Sequence, residues 1–574
     1  MKNSAVVEIL ERFADLLEFK GENPFKVNAY RRAARSVQDL TEDIEKIWRE
    51  GRLHEIPGIG EAIQGKIDQF LREGRIRQYD ELVAEAPREL FKLLSIQNFG
   101  PKTAALAYRE LGVETLEDLR RVLDDGSLAR LPGMGAKKVE NIRKGLEHYE
   151  SAITQISIGM ASMAAAQVIE YLQESARGLI GRIEAAGSVR RFKETVHDLD
   201  ILVESSAGEQ VVQLFTQMTG VTQVLGAGSS KGSVILNDRL QADLRVVPTE
   251  SFGAALQYFT GSQAHNVRIR EIAKKMGLKV NEYGVFRGEE RIAGKDEQEV
   301  YAALGLEWIP PELREDRGEI EAAQSNSLPD LVQLGDIRGD LHLHTRYSDG
   351  QFTIIEMAEA AQARGYEYMA VCDHSKSAFY ANGLDEDRLR RSIEEIRRYN
   401  EEHHDFVIFA GAEVDILPDG SLDYPDDLLA DLDFVVASIH SAFKQDPTGR
   451  TLAAMDNPYV DAIGHPTGRL ISRREGFEID VEQIIEKAAA YGIALEVNSF
   501  WDRLDLRDVT IRQAIERGVK VVINTDAHHI QHLGYMALGV GTARRGWAKK
   551  SDVLNTLSAE DLKAWRKKRL QSRR

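Results

Sequence analysis

From residue 336 to residue 545 the chain repeats one rhythm: a short apolar run, a polar loop, then a helical pattern. The runs are YMAVCDH, FVIFAGAEV, FVVASIH, AIGHP, IALEVNS and VKVVINTDAH. Such alternation predicts parallel strands joined by crossover helices, with a β/α barrel as the natural closure. Ten of the fourteen histidines fall after residue 340, mostly at the ends of these runs. GDLHLHTRYSDG supplies Asp340, His342, His344 and Asp349; VCDHS supplies Asp373 and His374; AGAEVDI supplies Glu413. ASIHS supplies His440, IGHP supplies His465, and INTDAHH supplies Asp526 and His528. On a strand, H-x-H projects both imidazoles to one side. Residues just beyond barrel strands converge on one rim, where barrel active sites lie. A lone histidine is usually a packing or surface residue, but that does not account for six at strand ends beside carboxylates. Mixed imidazole and carboxylate donors suit Zn²⁺, Mn²⁺ or Fe²⁺ without choosing among them.

At 574 residues the chain needs more than one core, so further domains precede this one. Residues 151–305 mix short Val-, Ile- and Leu-rich runs (DLDILVES, GSVILN, QADLRVV) with helical patterns. In GSVRRFKETVHDLDILV, a turn at Gly187-Ser188 leads to a strand carrying Asp198 and Asp200. Positions i and i+2 share a strand face, and two carboxylates so placed repel unless a cation lies between them. Asp243 sits on a later strand, QADLRVV. D-x-D alone reads as a solvated strand face, whereas three aspartates suit Mg²⁺ or Mn²⁺ and in-line phosphoryl transfer. Ser188 and Arg191 stand beside them, placed for a triphosphate. In YFTGSQAHNVRIREIA, Tyr258, Phe259 and Gly261 suit a sugar pocket, and Asn266 and Arg270 share a helix face that reaches a minor groove.

Residues 1–150 read as helical, with one motif repeated. LHEIPGIGEAIQGKI holds Gly58 and Gly60, LARLPGMGAKKVENI holds Gly133 and Gly135, and LLSIQNFGPKTAALA is a degenerate copy around Gly100. Glycine opens backbone conformations closed to other residues and lets the chain approach a ligand, and the following helix N-terminus suits a phosphate. Residues 306–335, with Pro310-Pro311 and AAQSNSLPD, read as a linker, and the terminal KAWRKKRLQSRR as a frayed tail. One cysteine, Cys372, excludes a disulfide framework and a cysteine zinc site. No run spans a bilayer and MKNSAVVEILERF is no signal peptide, so a cytoplasmic protein is expected. The net charge of −18 does not exclude nucleic acid, because its distribution matters more than its sum.

The glycine turns resemble helix-hairpin-helix modules, which grip the DNA backbone without reading bases. The set GS-x-RR, DLD, DLRVV and YFTGS-x-x-HN resembles family X DNA polymerases, the group of DNA polymerase beta, over about residues 1–305. Residues 336–545 resemble the polymerase-and-histidinol-phosphatase (PHP) phosphoesterases. The resemblance implies a helical helix-hairpin-helix region of two parts (1–85 and 86–150, the second the fingers). It implies an α+β nucleotidyltransferase palm (151–240, continuing to about 250) and thumb (251–305), the linker, and a distorted β/α barrel over 336–574.

In the palm it implies Asp198, Asp200 and Asp243 as carboxylate ligands, Ser188 and Arg191 on the triphosphate, Tyr258 and Phe259 as sugar gate, and Asn266 and Arg270 in the minor groove. Lys26, Tyr30 and Lys66 match a 5′-phosphate pocket in which relatives with lyase activity carry a Schiff-base lysine. Lys66 also reads as a solvated helix lysine, and Ala62 stands where a second basic residue often lies. ITQISIGMASM lacks an arginine that some relatives use near the triphosphate. In the barrel it implies up to three divalent ions. His342, His344, Glu413 and Asp526 would hold the first, Glu413, His440 and His465 the second, and Asp349, His374 and His528 the third. Arg469 is a candidate phosphate contact. The hairpins would carry a monovalent ion.

The implied activity is DNA-directed DNA synthesis in short gaps during base-excision repair, with 3′–5′ exonuclease, 3′-end processing and abasic-site endonuclease chemistry in the barrel. The implied partners are dNTPs and gapped or nicked DNA with a 5′-phosphate; no membrane is implied, and the protein is expected to be a monomer. Two rival readings are a small-molecule phosphoesterase tethered to DNA by an inactive polymerase core, and a non-catalytic DNA-end scaffold.

Overall fold

The computed structural model describes residues 2–573 except 39, 41, 42, 97, 472 and 473. It divides into two compact units, Met1–Ile153 with Ser377–Asn382, and Thr154–Lys376 with Gly383–Arg574.

The first unit is helical and has two cores. The helix Lys2–Phe19 serves both: Val6, Leu10 and Phe13 enter one with Ile63 and Ile67, while Leu16 and Phe19 enter the other with Leu90, Phe99 and Ile142. Three hairpin turns lead into the helices Glu61–Glu73, Pro101–Leu111 and Ala136–Thr154. Gly58 and Gly133 have φ of 85° and 74°, and Asn98 takes the same place in the degenerate copy with φ of 69°. Asparagine is one of the few non-glycine residues that visit this region, so the third copy keeps the geometry without the glycine.

In the second unit the palm is a five-stranded sheet ordered Ile183–Ala185, Asp198–Glu204, Leu240–Val247, Lys231–Leu236, Val221–Ala227. Along Leu240–Val247 buried and half-buried residues alternate. Leu240, Ala242, Leu244 and Val246 enter the core, which turns Gln241, Asp243 and Arg245 to the opposite face. The helices Phe252–Thr260 and Gln263–Lys275 and a three-stranded sheet follow.

Residues 306–335 are not the loose linker their composition suggests. Leu306, Ile309, Leu313, Ile320, Ala323 and Leu331 complete the core of this lobe, and residues 319–324 are helical. Arg314 is fully buried, 2.6 Å from Glu297. Prolines and small residues mimic linker composition here, but apolar residues spaced between them supply the packing.

Seven parallel strands form the barrel in sequential order: Gly339–Leu343, Tyr368–Val371, Val407–Asp415, Phe434–Ser438, Ala462–Ile463, Ala494–Asn498 and Val521–Asn524. A parallel bridge between Leu343 and Ala527, with the Asp526 amide donating to the His342 carbonyl at 3.0 Å, nearly closes last strand onto first. The C-terminal segment is not frayed. Residues 559–572 are helical, and Arg566 and Arg569 lie 2.9 and 2.5 Å from the buried Asp461. Arg574 lies outside the described residues.

Palm and barrel share a core: Leu504 and Leu538 belong to the palm cluster, with Trp501, Ile471 and Tyr535 packed against it. Among the described residues, no helix is long and apolar enough to cross a membrane.

Candidate active sites

In the palm, Asp200 and Asp243 are register partners on parallel strands, and Asp198 lies two positions away on the same face. Burial, then the charges of Asp198 and Asp243, push the Asp200 carboxyl up to about 6. This mutual repulsion is what a divalent cation relieves, so the donor set fits one. Asp243 accepts from Ser233 Oγ and, at 3.0 Å, from Gln241 Nε2. Gly187, with φ of 59°, lies against Asp200; a Cβ there would overlap the carboxylate. The Ala186 amide donates to the Asp200 carbonyl at 2.8 Å. The turn that carries Ser188 is thereby pinned to the aspartate strand.

The adjacent arginines have different surroundings. Arg190 makes two 2.8 Å bonds to the Glu297 carboxylate and one to Thr260 Oγ1. Arg191 lies 3.1 Å from Glu315, donates to the Thr260 carbonyl, and closely borders Gly261. Tyr258 and Phe259 meet edge to face at 5.2 Å, and Arg245 stands over the Phe259 ring at 5.2 Å. Asn266 accepts from Gln257 and donates to the Tyr258 carbonyl, both at 2.7 Å, so it braces the aromatic pair. Arg270 is exposed on the same helix.

In the helical unit, Lys26 and Lys66 are half-buried; burial first, and Lys26 second, lower the Lys66 ammonium pKa. Tyr30 does not lie open to DNA. It is 3% exposed and stacks on Phe13 at 4.7 Å, because helical spacing puts it on the core face of its helix. Gly60, Gly100 and Gly135 have no atom within 4 Å of a notional Cβ, and none has a positive φ. Neither packing nor backbone conformation requires glycine there.

In the barrel, Glu413 is the hub. Its Oε1 lies 3.0 Å from His465 and 3.3 Å from His440, and its Oε2 lies 2.9 Å from His374 and 3.4 Å from His342. His344 Nε2 is 3.0 Å from Asp526, and Asp349 is 3.2 Å from His528. Three groups have ligand atoms within 4.8 Å of one another: His344, Asp349, His374 and His528; His342, His344 and Asp526; and His374, Glu413 and His440. His344 and His374 each join two groups, and His465 reaches Glu413 from outside all three. Among the described residues, Asp198, Asp200 and Asp243 form no such group. His342 Nε2, His344 Nδ1 and His465 Nδ1 are buried without a hydrogen-bond partner. Buried imidazole nitrogens left unpaired in a cluster of carboxylates fit divalent cations, which take the nitrogen lone pair.

Electrostatics divide the imidazoles. Burial first, then His528 and His374, press His344 down to about 3. Burial would also lower His440 and His528, but carboxylates outweigh it, lifting His440 to about 10 beside Glu413 and Asp415 and His528 to about 9 beside Asp349 and Asp526.

Of the partners behind the cluster, Asp340 and Asp373 belong to its sequence motifs, whereas Glu496, Asp415 and Asn498 carry no motif of their own. Glu496 takes His342 Nδ1 at 2.7 Å and Asp415 takes His440 Nδ1 at 2.6 Å, fixing which ring nitrogen faces inward. Asn498 donates to Asp526 at 3.1 Å. Asp340 accepts from Thr525, and Asp373 from Thr345 and Ser348. The only sequence signal was alternation: Glu496 and Asn498 share one face of the strand ALEVN. Arg469 is not a phosphate contact. It is 4% exposed and lies 2.7 Å from Glu194 of the palm. Arg503, 3.6 Å from Asp526, is the cation beside the cluster.

Comparison with known protein families matches four segments of the chain. A helix-hairpin-helix domain matches residues 1–76, a SAM-like helix-hairpin-helix tandem 90–147, a DNA polymerase beta thumb 255–315, and a PHP domain 340–500. The DNA polymerase/3′-5′ exonuclease PolX of Bacillus subtilis (strain 168) is 40% identical over 575 residues, covering 99% of this chain and 100% of the relative. DNA polymerase lambda of Rattus norvegicus is 26% identical over 54% of this chain and 56% of its own length. A probable phosphatase of Caldicellulosiruptor bescii is 30% identical over 34% of this chain and 81% of its own length.

Proposed function

Because the chain belongs to the family X DNA polymerases with a C-terminal PHP domain, we propose that it fills short DNA gaps in the palm and hydrolyses 3′ ends in the barrel, in base-excision repair. The observation that carries this reading is the presence, in one chain, of two separate acidic centres with different donor chemistry. One is carboxylate only and the other is mixed with imidazole.

In the palm, Asp198 and Asp200 would hold Mg²⁺ or Mn²⁺, which would stabilise developing charge on the phosphates; Asp243 draws the proton from the primer 3′-hydroxyl as it attacks the α-phosphate, the α–β phosphoanhydride bond breaks, and pyrophosphate leaves. Ser188 and Arg191 hold the triphosphate, with Tyr258, Phe259 and Gly261 around the sugar. Asn266 keeps the aromatic pair in place, and Arg270 faces the minor groove. The hairpin glycines let backbone amides reach phosphates on either side of the gap, with room for a monovalent ion. Lys66, its ammonium pKa lowered, is the candidate amine for abasic-site lyase chemistry beside Lys26.

In the barrel, His342, His344, Asp349, His374, Glu413, His440, His465, Asp526 and His528 hold divalent cations of the Zn²⁺, Mn²⁺ or Fe²⁺ class. When bound, these supply Lewis acidity and a water nucleophile of lowered pKa. Glu496 and Asp415 orient His342 and His440, and Arg503 meets the phosphate.

Likeness of the barrel to a probable phosphatase supports the second reading, a small-molecule phosphoesterase tethered to DNA. Paired variants separate the two. Asp198→Ala is expected to abolish nucleotide addition and spare 3′-end hydrolysis, and His344→Ala to do the reverse. Loss of both activities in both folded variants refutes the two-site assignment, and faster hydrolysis of small phosphate esters than of DNA 3′ ends favours the second reading.

A further inference from the structure

Resting on the palm reading above, we propose that the barrel is part of the polymerase site: Arg545, the last residue of the barrel helix Met536–Arg545, is a positioning residue for the triphosphate arginine Arg191. Arg545 Nη1 donates to the Arg191 carbonyl at 2.7 Å and lies 3.0 Å from Glu315, and Nη2 lies 2.8 Å from Asp508. The same Glu315 oxygen lies 3.1 Å from Arg191 Nε. Side-chain exposures of 12%, 13% and 6% for Arg191, Glu315 and Arg545 place the whole relay away from bulk water, where charge interactions are least screened.

The neighbouring residue gives independent support. Phe192 has φ of 54°, a region that bulky residues adopt only when their surroundings impose it. Its ring lies on Gly541 of the same barrel helix, where any Cβ would overlap it. One helix of the barrel therefore holds the Arg191-Phe192 turn at two points, a backbone carbonyl and an aromatic ring.

The charge arithmetic gives the arrangement a consequence. Glu315 stays ionised; burial would raise its carboxyl pKa, but Arg545 and Arg191 together hold it below the ordinary value. Arg191, Arg545 and Arg317 set three positive charges against the two of Glu315 and Asp508, which leaves net positive charge for a triphosphate. Without Arg545, Glu315 neutralises Arg191 alone, and the carbonyl that anchors the turn loses its donor.

The test is steady-state incorporation into gapped DNA by the full chain. Arg545→Met is expected to raise KM for the incoming dNTP about tenfold, the equivalent of one charge-assisted hydrogen bond. It should leave kcat within about twofold and 3′-end hydrolysis by the same preparation unchanged. Arg545→Lys keeps the charge and should recover part of the loss. In a Glu315→Gln background the effect of Arg545→Met should shrink, since the competing carboxylate is gone. An unchanged KM, an equal rise in both backgrounds, or a parallel fall of incorporation and hydrolysis overturns the proposal. Lack of incorporation by the unmodified chain fails the palm reading itself, an outcome separate from any of these.

Discussion

Gly187→Ala tests whether the glycine turn and the aspartate strand form one device. With φ of 59°, Gly187 occupies the left-handed region, which costs an alanine about 1–2 kcal/mol. The added methyl would lie 3.2 Å from Asp200 Cγ and overlap the carboxylate oxygen facing it. The turn cannot retreat, because the Ala186 amide is bonded to the Asp200 carbonyl at 2.8 Å. The carboxylate must therefore swing aside by about 1 Å, and a displacement of that size at a reacting centre costs on the order of 100-fold in rate. Two readouts separate strain from chemistry. Thermal unfolding should shift by only a few degrees, about 2–4 °C per kcal/mol for a lobe of this size. Single-turnover addition of one nucleotide to a one-base gap should slow about 100-fold, while 3′-end hydrolysis holds its rate. Addition within about threefold of the unmodified chain, measured where Asp198→Ala is inactive, would show that Asp200 need not sit against this turn, and the ligand assignment for that residue would fall.

The hairpin glycines should behave in the opposite sense. Gly60→Ala or Gly135→Ala meets no neighbour, so stability should change by less than about 1 kcal/mol, while affinity for gapped DNA drops about tenfold through lost backbone–phosphate contact; fluorescence anisotropy across a salt series checks this. Glu297 is a structural case. Burial would raise its carboxyl pKa, but Arg314 and Arg190 outweigh that and hold it at about 2, below the ordinary 4.5. A depressed folded pKa gives stability that is present above pH 4.5 and lost as pH falls toward 2, about 3 kcal/mol in all. Unfolding free energies from pH 6 to pH 3 should fall less steeply in Glu297→Gln, and equal slopes would refute the linkage. Lys66→Ala should abolish borohydride trapping on an abasic-site 5′ end and leave gap-filling intact; trapping that survives assigns the amine elsewhere.

The barrel was legible because its strands are buried on both faces and read as unbroken apolar runs, with ligands just past their ends. The palm strands were legible through alternation. What escaped was packing decided at long range. Residues 306–335 have the composition of a linker, yet Ile309, Leu313 and Ile320 find a core that only the folded thumb provides. The basic C-terminal segment reads as solvated until Asp461, about a hundred residues earlier, appears beneath Arg566 and Arg569. Tyr30 kept the residue type of a ligand pocket but sits on the buried face of its helix.

The same limit explains the sites. A ligand betrays itself by type and spacing, whereas the group that orients it is chosen by whichever strand the fold lays alongside. Glu496 is an unremarked carboxylate in IALEVNS until the barrel curls the sixth strand to bring it 2.7 Å from His342. Arg469 and Arg503 both follow barrel strands and look interchangeable as phosphate contacts. The shared palm–barrel core buries the first against Glu194 and leaves the second beside Asp526. The motif GSVRR shows two equal arginines, and only tertiary structure ties Arg190 to Glu297 and places Arg191 where palm, thumb and barrel meet. Where one site is assembled from several lobes, sequence patterns mark the atoms that meet substrate. The residues that set their positions become visible only as contacts between segments hundreds of residues apart.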